Sequence, residues 1–415
     1  MPKDLAVGIH DLSFATGQLV LTHETLAAHN GTELGKYHVG IGQRSMSVPA
    51  ADEDIVTMGA AAAAPILARH GADRIRTVIF ATESSVDQAK AAGIHVHSLL
   101  SMPSATRVVE LKQACYGGTA ALQFAIGLVH RDPSQQVLVI ASDVSKYELD
   151  QPGEATQGAA AVAMLISADP ALVRIEEPSG VFTADIMDFW RPNYLTTALV
   201  DGKESVSAYL QAMDGAWKDY TEQGGRAFEE FAAFCYHQPF TKMAYKAHRA
   251  LLESCGREVD EAEVVRAIGR TTAYNEDIGN SYTASVYLGL AALLDGSDDS
   301  DGSDGSDGSD GSDGSDGSDD SDDLTGRAIG LLSYGSGSVA EFFAAVPVPG
   351  YRSQLRSEQH REAISGRREI GYADYRERHE QAFPVDGGDH PAPRETTGPY
   401  RLAGLFGHKR VYEPR

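Results

Sequence analysis

One stretch constrains the fold of this chain more than any other: Glu110 to His130, ELKQACYGGTAALQFAIGLVH. From Tyr116 onward it is apolar almost all round, the pattern of a helix buried at the centre of a protein. Cys115 stands at its start, at a strand-to-helix corner. Unpaired N–H groups and the helix dipole at such a corner stabilise a thiolate. Gly117 and Gly118 let backbone or substrate come close. The segment therefore predicts a central helix with an activated sulfur nucleophile at its N-terminus.

The flanking sequence reads as α/β. Short apolar runs at Val78–Thr82, Gln136–Ser142, Gly158–Ser167, Ala328–Tyr334 and Val339–Val346 predict strands, several packed on both faces. Helices are expected over Asp54–His70 and Tyr116–His130. A helical insert is expected over Ser205–Gln223, Arg226–Cys235 and Thr241–Cys255. The polar C-terminal segment predicts a helix pair, Ser357–Ile364 and Tyr372–Gln381, then an extended tail. An SDG repeat over 295–323 holds thirteen aspartates and no basic residue. It has no apolar surface to bury, so it predicts a disordered loop. The chain divides into an N-terminal half, 1–170, and a C-terminal half, 171–415, which carries the insert and the loop.

Net charge is −24, and the repeat supplies more than half of it. An acidic chain is a poor partner for nucleic acid or an anionic membrane. No apolar run is long enough to span a bilayer. The three cysteines, Cys115, Cys235 and Cys255, are odd in number and widely spaced, which excludes a disulfide framework and a cysteine zinc site. The N-terminus shows no export pattern, so a cytoplasmic location is expected.

Several positions carry chemistry. Cys115 is the candidate nucleophile; Cys235 and Cys255 lie in apolar runs that read as helical filler. His237, in YHQPF just past an expected helix end, could accept a proton or polarise a carbonyl, or be structural. Pro239 could open the next helix. Glu83 follows the VIFAT strand, where burial would raise its pKa toward the working range; it could equally cap a helix over Ser84–Ala92. Lys242 and Lys246 share a helix face, suited to phosphates or simply solvated. Asn280, in GNSYTAS, lies in a capping turn and could donate to a thioester oxygen. The SYGSGS turn around Ser336 could offer N–H groups to an oxyanion, or be a flexible turn. No dinucleotide fingerprint, HExxH or CxxC is present.

Eight runs, in order, resemble the 3-hydroxy-3-methylglutaryl-CoA (HMG-CoA) synthase family: GKYHVGIGQ, ATES, QACYGGTAAL, GEATQGAAAVAML, DGKESVSAYL, YHQPFTK, GNSYTAS and SYGSGS. They reach almost end to end, and the glutamate of ATES separates this family from general thiolase-fold condensing enzymes. The SDG tract is an insertion that the family pattern does not require. The resemblance implies a thiolase-like fold, two similar βαβαβ-type halves in five layers (αβαβα), forming a homodimer. It implies a Claisen-type condensation of acetyl-CoA with acetoacetyl-CoA and water. Cys115 would carry the acetyl group, Glu83 would remove a methyl proton, and His237 would face the acceptor ketone. Thr156, Ser205, Asn280 and Ser336 would contact ligand, Lys242 and Lys246 the CoA phosphates, and the N–H groups of Cys115 and Ser336 would form an oxyanion hole. No metal or further cofactor is implied. The same site would also suit a relative acting on carrier-protein-bound β-ketoacyl chains. A catalytically silent scaffold using the acidic repeat to recruit a partner is a third reading.

Overall fold

The computed structural model describes residues 5–296, 323–382, 384 and 386–415. The loop expected over 295–323 lies, but for its ends, outside the described residues.

A ten-stranded sheet forms the frame. Its main path runs Phe231–Tyr236, Ala328–Gly335, Val339–Pro347, Val173–Ile175, Val7–Thr16, Ala159–Ala168, Gln136–Val144, Ile75–Ala81 and Arg107–Leu111; Gly180–Thr183 pairs off this path with Val339–Pro347. The two halves of the chain join where Gly8 and Ile9 pair with Arg174 and Val173. Each half ends in parallel strands: Ile75–Ala81 between Arg107–Leu111 and Gln136–Val144 in one, Phe231–Tyr236 beside Ala328–Gly335 in the other.

Three apolar clusters define the layers. Helices Ile55–His70 and Ala92–Leu99 cover the outer face of the N-terminal strands. Helices Gly202–Glu222, Lys242–Ser254 and Glu261–Ile268 cover the outer face of the C-terminal strands. Between the two sheet halves lie Gly117–Arg131 and Ser285–Asp295, in one shared core. The result is five layers, helix–sheet–helix–sheet–helix.

Local sequence explains most elements. Asp54 caps Ile55–His70 through a capping box with Thr57. Asp201 caps Gly202–Glu222 by accepting from the Lys203 and Glu204 N–H groups. Every residue of Ser285–Asp295 is buried. The helix after Cys115 is less enclosed than its sequence predicts: Phe124 is 58% exposed. The outermost strand, Arg107–Leu111, leaves that side of the helix uncovered.

Four expectations are corrected. Arg226–Cys235 is not helical; a short 3₁₀ turn, Phe228–Glu230, leads into the strand Phe231–Tyr236. Its aromatic content suits a pleated surface, and parallel pairing with Ala328–Gly335 decides the matter. So Cys235 lies in a strand and His237 follows a strand, while Cys255 sits at the C-cap of Lys242–Ser254. Pro239 does not open that helix, which starts at Lys242. The extended tail folds into a three-stranded sheet, Asp389–Pro391, Tyr400–Phe406 and Lys409–Pro414. It docks on the N-terminal half: Arg401 pairs with buried Asp52 at 2.9 Å, and the Tyr412 hydroxyl donates to Asp54 at 2.6 Å.

Candidate active site

Strand register gathers the site. Ala81 aligns with Ala141 and with Leu111. Glu83 and Cys115, just beyond, therefore leave the sheet at one carboxyl edge, beside Asp143 near the end of Gln136–Val144. In the other half Tyr236 aligns with Leu332, so His237 and the Ser336–Ser338 turn lie at a second such edge. The turn reaches the cysteine loop directly. A Cβ on Gly335 would lie 2.6 Å from both the Gln113 carbonyl oxygen and the Tyr116 nitrogen. The Gln113 amide also donates to the Ser336 carbonyl at 3.3 Å.

The Cys115 thiol donates to Glu83 Oε2 at 3.5 Å. The chain just before the sulfur is strained: Ala114 holds φ at 43°, and Tyr282 across the chamber holds 48°. Such values in non-glycine residues persist only where the surroundings impose them. Gly118 serves backbone packing, since a Cβ there would meet the Thr283 carbonyl at 2.5 Å.

Electrostatics revises one expectation. The corner does not favour a thiolate in the free protein. Loss of solvent, then the charges of Glu83 and Asp143, push the Cys115 thiol well above its usual range. Glu83 is intermediate in overall exposure, but its carboxyl faces inward onto the sulfur. Desolvation and the neighbouring Asp143 raise its pKa well above that of a free glutamate. Asp143 is itself pushed upward by burial, against the pull of its donors. It accepts six hydrogen bonds, from Thr82 Oγ1, the Glu83 and Ser84 N–H groups, Ser84 Oγ, and the Thr283 N–H and Oγ1. Charge is better held there than on Glu83, so Glu83 takes up a proton first. Glu83 caps no helix; the next one begins at Ala92.

His237 is 2% exposed, and burial lowers its pKa to about 3. It is a neutral imidazole across the working range. The Tyr209 ring lies 6.4 Å from its ring and 4.8 Å from that of Tyr334. The Tyr209 hydroxyl donates to the His237 carbonyl at 2.9 Å.

Of the other candidates, Asn280 and Thr156 adjoin this centre. Asn280 is buried; its amide donates to the Tyr147 hydroxyl at 3.1 Å and its Oδ1 accepts from the Tyr282 N–H at 3.0 Å. Tyr147, Tyr282 and Cys115 pack together, with Phe189 against them. Thr156 uses its hydroxyl on the Gly153 carbonyl at 2.8 Å, while its own carbonyl accepts from the Asn280 N–H at 2.9 Å. Ser205 lies in the first turns of Gly202–Glu222, half-buried. Lys242 is half-buried beside Gly42 of the GIGQ turn, and Lys246 is exposed. Their ammonium groups lie over the Tyr245 and Phe240 rings at 4.8 and 5.1 Å.

Sequence reasoning missed Asp143, the tyrosines and Arg191, which donates to the Glu83 carbonyl at 3.0 Å. An aspartate ending the QVLVIAS strand was the available signal for the first. The Tyr334–Asp188 contact, 2.7 Å, joins positions too far apart in sequence to be linked by spacing.

Five layers, with a thiol and a carboxylate at the edge where two halves meet, define a thiolase-like condensing enzyme that transfers acyl groups. Comparison with known proteins gives the family. The model for the hydroxymethylglutaryl-coenzyme A synthase N terminal matches residues 1–171, and that for its C terminal matches 173–263. The chain belongs to the hydroxymethylglutaryl-CoA synthase family. It is 37% identical to hydroxymethylglutaryl-CoA synthase of Enterococcus faecalis over 371 residues, covering 89% of this chain and 91% of that one. A crystal structure of an HMG-CoA synthase complexed with CoA superposes with a TM-score of 0.87 at 34% identity, covering 99% of this chain and 100% of that one. A polyketide-biosynthesis 3-hydroxy-3-methylglutaryl-ACP synthase of Bacillus subtilis is 26% identical, covering 89% and 87%. No described helix is long and apolar enough to cross a membrane.

Proposed function

We propose that the protein condenses acetyl-CoA with acetoacetyl-CoA and water to give HMG-CoA and CoA. The observation that carries this reading is the thiol–carboxyl contact, Cys115 to Glu83 at 3.5 Å. Cys115 attacks the acetyl thioester as its proton passes to a neighbouring base, and CoA leaves as the thiol. Glu83 then removes a proton from the acetyl methyl group. Its raised pKa makes it a stronger base than a free carboxylate. N–H groups of Cys115 and Ser336 hold the enolate oxygen, each aimed donor contributing about 3–4 kcal/mol. The enolate carbon attacks the acceptor ketone. His237, neutral, donates an N–H to the ketone oxygen as charge develops there. Water finally cleaves the thioester and frees Cys115.

Thr156, Ser205 and Asn280 contact ligand, and Lys242 and Lys246 meet the CoA phosphates. The steps call for no metal and no further cofactor. The protein acts in the cytoplasm, in the mevalonate route to isoprenoids, as a homodimer. The dimer contact is the open edge strand Arg107–Leu111 and the groove beside it. That groove has a volume of about 520 Å³ and includes Val109, Phe124 and Leu128.

Mass spectrometry tests the reading. Acetyl-CoA alone should add one acetyl group at Cys115, and acetoacetyl-CoA should then discharge it as HMG-CoA. Labelling elsewhere would reject the site. Failure with free acetoacetyl-CoA, beside rapid reaction with a carrier-bound acceptor, would transfer the function to the polyketide type.

A further inference from the structure

Near the site, five buried polar side chains each carry at least one polar atom with no hydrogen-bond partner among the described residues. Gln43 is 0% exposed, and neither its Nε2 nor its Oε1 has a partner among the described residues. The same holds for Gln238 Oε1, Thr241 Oγ1, Asn275 Oδ1 and Ser281 Oγ, all on residues at most 1% exposed.

Gln43, Thr241, Asn275 and Gln238 are neighbours, and Ser281 lies two residues beyond Gly279. A methyl on Gly42 would meet the Thr241 side chain at 3.3 Å, and one on Gly279 would meet Gln43 Nε2 at 3.2 Å. The Arg44 N–H donates to the Glu276 carbonyl at 2.8 Å, which brings the Gln43 loop beside Asn275. Gln238 and Asn275 meet at Ser285, at 2.9 and 3.3 Å. Three of the five also stand next in sequence to site positions: Gln238 follows His237, Ser281 follows Asn280, and Thr241 precedes Lys242.

A buried amide or hydroxyl with no partner is costly. Here an amide and two hydroxyls can donate, and three amide oxygens can accept. That balance suits bridging water, which takes about three hydrogen bonds from otherwise unsatisfied groups. We propose that Gln43, Gln238, Thr241, Asn275 and Ser281 enclose a cluster of ordered water, and that this cluster supplies the water for the last step.

The second clause rests on the proposed function. Cys115 is only 7% exposed, and an acyl group on its sulfur covers it further. Asn280, next to Ser281, donates to Tyr147, which packs on Cys115, so water held at Ser281 has a short way to the sulfur. Its oxygen bonds to the thioester carbonyl carbon and the C–S bond breaks. One proton of the water restores the Cys115 thiol; the other leaves as the acid ionises to carboxylate. No oxidant or reductant is involved.

Two measurements test this. A high-resolution crystal structure of the protein should show water within hydrogen-bond distance of Gln43, Thr241 and Ser281. Side chains bonded directly to one another with no water between them would overturn the cluster. Quenched-turnover mass spectrometry should then show Gln43→Met accumulating the six-carbon HMG-CoA adduct on Cys115 about tenfold over the unmodified protein. Acetylation by acetyl-CoA alone should proceed at the unmodified rate. Ser281→Ala serves the same purpose if Gln43→Met does not fold. Unchanged adduct occupancy in a folded variant would overturn the supply role. Failure of the unmodified protein to acetylate Cys115 would instead overturn the proposed function, leaving the crystallographic result to stand alone.

Discussion

At the residue scale, the site depends on two groups held away from their usual ionisation. The Cys115 thiol is raised by burial first and by Glu83 next. Replacing Glu83 with Gln removes a negative charge, so the Cys115 pKa should fall. Alkylation by iodoacetamide, followed against pH, should show a midpoint displaced to lower pH. An unmoved midpoint would mean that Glu83 carries no charge beside the sulfur. The same variant should acetylate yet fail to condense. It should also be more stable at neutral pH. A carboxyl whose folded pKa is raised favours folding below its unfolded pKa, near 4.3, and loses that contribution as pH rises through the folded value. Ionised Glu83 is thus a burden above that range. The Tm gain of Glu83→Gln should grow as pH rises and vanish toward pH 4.

His237 has the opposite sign. Burial holds its pKa near 3, so its neutral form favours folding above about pH 6.5, and that contribution fades as pH falls toward 3. It should supply no acid limb between pH 5 and 7 in the kcat/KM profile. The acid limb that Glu83 supplies should be unchanged in His237→Asn but absent from residual proton abstraction in Glu83→Gln.

At the element scale, the turn after Ala328–Gly335 fixes the position of Ser336 against the cysteine loop. Gly335→Ala would place a methyl 2.6 Å from backbone atoms of Gln113 and Tyr116. The turn must retreat, and misplacement by about 1 Å costs roughly a hundredfold in rate. The acetylation burst should slow by about that factor, with the acetyl-CoA KM nearly kept. This scale also shows where sequence reasoning stopped. Strands Gln136–Val144 and Ala159–Ala168 were legible because both faces are apolar. Phe231–Tyr236 was misread as helix because FAAFCY carries no alternation; only its partner strand, roughly a hundred residues away, settles its form. The tail sheet was illegible for a similar reason, since its polar residues fold onto Asp52 and Asp54 of the other half.

At the scale of the whole molecule, the C-terminal segment latches the halves. Arg356 donates to both oxygens of fully buried Asp11, at 3.0 and 2.6 Å. Arg69 and His70 also reach Asp11, at 3.2 and 2.9 Å. Arg356→Met should destabilise by about 3 kcal/mol, the low end for a broken buried pair, because two partners remain; a denaturant titration measures it. The ends of the SDG tract are anchored separately. Asp295 accepts from Tyr274 and pairs with His360, both at 2.7 Å, while Asp323 accepts from Thr325 at 2.8 Å. Replacing 297–322 with a short linker should leave Tm and turnover nearly unchanged, since loop closure varies only slowly with length.

The sequence by itself determined the order of strands and helices in most of the chain, and it singled out Cys115, Glu83 and His237 as chemistry-bearing. Such signals are local: a periodicity, a glycine pair, a carboxylate at a strand end. Only the tertiary structure decided their ionisation, because a pKa depends on what surrounds a group in space. The Asp143 hub, the latch at Asp11 and the unpaired polar cluster beneath the site likewise join residues far apart in sequence. Burial and through-space charge obey distance, not chain separation, and the folded sheet register sets those distances.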